Sequence, residues 1–77
     1  MRTESFKVLQ AFGYESPYYK ILVQARSGNR YFVWYIDSIG VEVGQELLIN
    51  FDGDYWRSIN NPQNGKKSNI AEISKVN

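Results

Sequence analysis

The octapeptide RYFVWYID, residues 30–37, packs Tyr31, Phe32, Trp34 and Tyr35 into a run rich in strand-forming side chains. Successive side chains of a strand point to opposite faces, so the segment cannot bury all four rings on one side. How it divides them decides what fills the core and what the outside presents.

That division depends on the turn before it. Ser27, Gly28, Asn29 and Arg30 carry hairpin chemistry, because Gly28 and Asn29 tolerate positive φ, and YYKILVQAR (18–26) upstream reads as the partner strand. If Ser27 pairs with Arg30, the ladder sets Ala25 opposite Phe32, Val23 opposite Trp34 and Ile21 opposite Ile36. All six are apolar and share a face, so this register is self-consistent. The other face then carries Arg26 beside Tyr31, Gln24 beside Val33, Leu22 beside Tyr35, and Lys20 beside Asp37. On this reading Phe32 and Trp34 enter the core, while Tyr31 and Tyr35 point outward.

Working outward, SFKVLQAFG (5–13) is a strand with Phe6, Val8 and Phe12 on one side, and YESP (14–17) is a turn, since a residue before proline avoids helix. SIGVEVGQ (38–45) reads as a bend leading into a strand, and ELLINF (46–51) as a strand ending at the DGD hairpin (52–54). YWRSI (55–59) is the next strand, NNPQNGKKSN (60–69) a loop, and IAEISKV (70–76) a closing strand or a single helical turn. Five or six short strands joined by tight turns, with no amphipathic helix, indicate an all-β domain. Closing the sheet on itself removes exposed edges, so the expected fold is a small five- to six-stranded half-open barrel, SH3-like or OB-like. VEVGQEL (41–47) resembles the glycine-containing lead-in to a strand found in many such barrels.

The 77 residues make one domain, and a hydrophobic fraction of 43% with 16% aromatics places it among folded rather than disordered chains. Cysteine and histidine are both absent, which removes disulfides, thiolate metal sites and the usual catalytic triads. No apolar run approaches the ~20 residues of a membrane span, and the opening MRTESFKV has no signal-peptide core. A cytoplasmic protein without membrane attachment is the expectation. The net charge of +1 argues against a duplex-DNA packager, so any nucleic-acid role has to rest on local clustering.

The outward hairpin face supplies such clustering. Tyr18, Lys20, Gln24, Arg26, Arg30, Tyr31 and Tyr35 interleave rings with cations, the pattern that stacks bases and meets phosphates in single-stranded nucleic-acid binders. Arg57, pointing away from a core Trp56, and the Lys66–Lys67 pair in the loop extend the set. Trp56 meets Ile49 or, with the turn moved by one residue, Phe51. NGKKS (64–68) is not a Walker loop, since Asn60 stands where its first glycine belongs, and DGD lacks the distal ligands of a calcium loop. The acidic residues form no catalytic constellation. The expectation is therefore a non-enzymatic module without a cofactor that binds single-stranded nucleic acid. The alternative is a protein-interaction module or accessory subunit using Tyr18, Leu22, Val33 and Tyr35, either through an SH3-like groove or as a homodimer.

Overall fold

The computed structural model describes residues 1–76 and contains six antiparallel strands. These are β1 (Arg2–Glu15), β2 (Tyr18–Gln24), β3 (Arg30–Tyr35), β4 (Glu46–Asp52), β5 (Tyr55–Asn61) and β6 (Lys66–Lys75). They pair in the ring β1-β2-β3-β6-β5-β4, and β4 returns to β1, so the barrel is closed. The expected all-β barrel is present. Residues 70–75 are strand rather than helix, and β6 begins inside the stretch read as a loop.

The first strand is longer than its sequence segment because it serves two neighbours. Its first half pairs with β4 from Arg2 to Lys7, and its second half with β2 from Lys7 to Glu15. Bulges between Val8 and Gln10 and between Ala11 and Gly13 bend it around the barrel wall. The first bulge moves the inward positions from Phe6 and Val8 to Ala11, which faces inward Ile21, and so places Phe12 outside. The Ser16–Pro17 peptide is cis.

The β2–β3 hairpin differs from its expected register. Ala25 N–H donates to the Asn29 carbonyl (2.8 Å), and Gly28 N–H donates to the Ala25 carbonyl (3.0 Å). The loop is thus the three residues Arg26, Ser27 and Gly28, with Gly28 left-handed at φ 94°. Asn29 does not take positive φ, so the type I′ turn that Gly28-Asn29 would favour is not formed. As a result Leu22, not Ala25, lies opposite Phe32, and Ile21 lies opposite Val33. A shift of three residues is odd, so every β3 side chain changes face. Tyr31, Val33 and Tyr35 turn inward, and Phe32 and Trp34 turn out.

The core comprises Phe6, Val8, Ile21, Val23, Val33, Tyr35, Ile39, Leu47, Ile49, Phe51, Ile59 and Ile70. Trp56 pairs with Phe51, the second of the two arrangements considered for the DGD hairpin, across a bulge in β4–β5. One end of the barrel is filled by Phe6, Tyr31, Phe51 and Trp56, whose ring centroids lie 4.8–6.2 Å apart in contacting pairs.

The other end is closed by the connection between β3 and β4, which inserts Ile39 completely into the interior. Such an insertion buries main-chain carbonyls, and Asn61 satisfies them. Its Nδ2 donates to the Ile39 carbonyl (2.9 Å) and lies 3.2 Å from that of Gly40 and 3.3 Å from Gln45 Oε1. Asn64 Nδ2 adds a second donor to Ile39 (3.0 Å).

Candidate functional site

The outer surface of β1, β2 and β3 is a grid whose rows follow from the pairing. Lys7, Gln24 and Arg30 form one row; Gln10, Leu22, Phe32 and Ser74 the next; Gly13, Lys20, Trp34 and Glu72 the third. Rows lie two residues apart, about 7 Å. Phe12, displaced by its bulge, completes the third row.

Lys20 sits at the centre of this face. Its Nζ lies 4.9 Å from the Phe12 ring centroid, 4.5 Å from Phe32 and 5.4 Å from Trp34, all within cation–π range. The rings also touch one another, Phe12 and Phe32 at 6.0 Å and Phe32 and Trp34 at 6.1 Å. All four side chains are half-buried. Each keeps part of its surface open, with the lysine ammonium set among the three rings.

The sequence-predicted residues separate into groups. Tyr18, Lys20, Gln24 and Arg30 lie on the outer face as expected. Tyr31 does not: it is inward and half-buried, edge-on to Phe6 and 4.8 Å from Trp56. Tyr35 is a core residue at 3% exposure, stacked on Tyr19 with the planes 13° apart. Burial, with Tyr19 adding to it, pushes the Tyr35 phenol up to about 12. Val33, named for an apolar docking patch, is likewise core. These corrections share one cause, the three-residue loop.

Arg26 is exposed at the hairpin tip, off the grid. Arg57 sits at the β5 bulge, 3.6 Å from Asp52, and is separate from the aromatic face. Lys66 and Lys67 open β6 opposite Asn61 and Asn60, at the plugged end. Lys67 is about 16 Å along the strand from Glu72, the neighbour of Trp34.

Sequence reasoning missed Phe12, Phe32 and Trp34 as outward rings. For Phe12 the cause is the bulge between Val8 and Gln10, which holds no glycine and left no signal in the sequence. Among the described residues no group of His, Cys, Asp and Glu could hold a metal ion, and no helix is long and apolar enough to cross a membrane. The chain matches no family model, no curated protein and no solved structure.

Proposed function

We propose that this chain is a non-enzymatic binding module that takes single-stranded nucleic acid on the outer face of β1, β2 and β3. The observation that carries the reading is Lys20 set among Phe12, Phe32 and Trp34 on the outside of the barrel. Rings offer stacking surfaces to unpaired bases, and the cations beside them meet phosphates. Lys7 and Arg30 extend the cationic track one row beyond Phe32. The strand 2–3 surface is also where OB-type barrels bind oligonucleotides.

Magnitudes bound the affinity. Stacking is worth ~1–3 kcal/mol per base. Lys7, Lys20 and Arg30 contacting three phosphates of a single strand correspond to a log–log salt slope of about −2. Binding should be weak and sensitive to salt. The test is titration with a single-stranded oligonucleotide at two ionic strengths, reading tryptophan fluorescence. Quenching with an affinity that falls as salt rises supports the reading, and no binding at low salt removes it.

A second reading has its own observation. Leu22 lies in the middle of the face and cannot stack a base, so with Phe12, Phe32 and Trp34 it forms an apolar centre of the kind found in protein interfaces. A partner protein, or a second copy of the chain, would cover it. An SH3-like contact with a proline-rich peptide is a narrower form of the same idea. Sedimentation at two protein concentrations checks self-association directly.

A further inference from the structure

The ring of strands closes unevenly. The ladder between β5 and β6 runs only over Ser58–Asn61 and Lys66–Asn69. Beyond it the strands part, leaving a hollow of about 220 Å³ with Trp56, Ile70, Ala71 and Ile73 along it and Asp54 and Glu72 at its rim. A second hollow continues past Tyr55 and Ile70 to the exposed Ile36. The seam is thus open, apolar beside Trp56 and Ile73 and more polar toward Arg57 and Asn69, and it lies between β5 and β6 rather than on the Lys20 face.

Among the described residues the main chain of β6 beyond Asn69 also has no ladder partner in β5. Val76 N–H donates to the Arg30 carbonyl (2.8 Å). Alternate residues of an antiparallel strand turn their main-chain groups to the same side, so Ser74 and Glu72 bond toward β3. Ile73 and Lys75 then direct their N–H and C=O toward β5, where the ladder has already ended. A strand edge with unpaired amides, apolar side-chain pockets and a defined charge is the requirement for capturing an extended peptide.

We propose that this seam docks an extended segment of a partner polypeptide, one that alternates apolar and basic residues and lies along β6. The charge selects the occupant: the hollow is lined by the exposed carboxylates Asp54 and Glu72 and, among the described residues, by no Lys or Arg. Lys75 lies beyond it at the end of β6, and Arg57 at the far end is turned to Asp52 (3.6 Å). Apolar side chains of the segment enter beside Trp56 and Ile73, and its basic side chains meet the two carboxylates. Nucleic acid is disfavoured here by the same two charges.

The test is titration of the ¹⁵N-labelled protein with a capped Lys-Val-Lys-Val-Lys peptide, and separately with Glu-Val-Glu-Val-Glu and with a thymine oligonucleotide. The expected result is that the lysine peptide shifts the amides of Trp56 and residues 70–75 and the glutamate peptide does not. Asp54→Lys, a change at an exposed turn, should weaken the lysine peptide about fivefold. Glu72→Lys should weaken it similarly while strengthening oligonucleotide binding, because Glu72 also neighbours Trp34. Absence of lysine-peptide binding at millimolar concentration, equal binding of both peptides, indifference to Asp54→Lys, or oligonucleotide shifts centred on the seam would each overturn the proposal. An oligonucleotide that binds nowhere defeats the nucleic-acid reading alone and leaves this one standing.

Discussion

Leu22 and Phe32 face one another across the β2–β3 ladder, on the outside of the barrel. That pairing places Val33 and Tyr35 in the core and leaves Phe32 and Trp34 on the outer wall. Everything proposed for the Lys20 face depends on it.

Stability measurements can read this register. Val33 is completely buried, so Val33→Ala should cost ~2 kcal/mol through lost burial and the cavity left behind. Phe32→Leu trims a half-buried outer-wall ring that also meets Phe12, Trp34 and Lys20 but keeps an apolar side chain opposite Leu22, and should cost about 1 kcal/mol or less. Urea unfolding of the two variants gives the comparison. The reverse order would mean that the rings have exchanged faces.

The plugged end makes a second prediction. Asn61→Ala leaves the buried Ile39 carbonyl with fewer donors, which should cost ~1–3 kcal/mol. Gly40→Ala should also destabilise. Gly40 has φ 64°, and a Cβ there would lie 2.8 Å from Asn64 Nδ2, the second donor to Ile39. Thermal unfolding of both variants checks this, and a midpoint unchanged in Asn61→Ala would show that Asn61 is dispensable to the plug.

Tyr35 predicts a pH dependence. Its phenol is raised to about 12 in the folded protein, above the value of roughly 10 expected when unfolded. Below pH ~10 both states keep the proton and the group contributes no pH dependence. Between the two values the unfolded chain ionises first, so stability falls as pH rises, by about 2–3 kcal/mol in total. Tyr35→Phe should flatten that fall relative to the native chain. Identical alkaline profiles would show that Tyr35 ionises equally easily folded and unfolded.

The cationic part of the face can be isolated through salt. Lys20→Gln keeps a polar side chain among the rings but removes one charge. The log–log salt slope for a single-stranded oligonucleotide should therefore shrink by about 0.7. An unchanged slope would take Lys20 off the phosphate track.

How much of this was legible in the sequence follows from where alternation was informative. Segment 18–26 alternates apart from Leu22, with Lys20, Gln24 and Arg26 on one parity, so Ile21 and Val23 read as core and Lys20 as outward, as the structure has them. The DGD hairpin was legible as a turn, but its register stayed open between Ile49 and Phe51 as the partner of Trp56. Residues 31–36 are apolar at both parities, so no polar residue penalises a slipped register. Gly28 fits a two-residue turn as its first residue and a three-residue loop as its last, and only the long-range packing of Val33 and Tyr35 decides between them. The plug was hidden for a similar reason. Ile39 lies between turn residues, and its anchor Asn61 stands in a polar run that composition assigns to a loop although β5 ends and β6 begins there.

The most direct test of the binding face is the affinity of a thymine oligonucleotide for the native protein and for the Phe32→Ala/Trp34→Ala double variant at low salt. Removal of two stacking rings should cost at least about 2 kcal/mol, roughly a thirtyfold loss, with the far-ultraviolet spectrum unchanged. Equal affinity in a folded double variant would contradict the assignment of these outward rings to nucleic-acid binding.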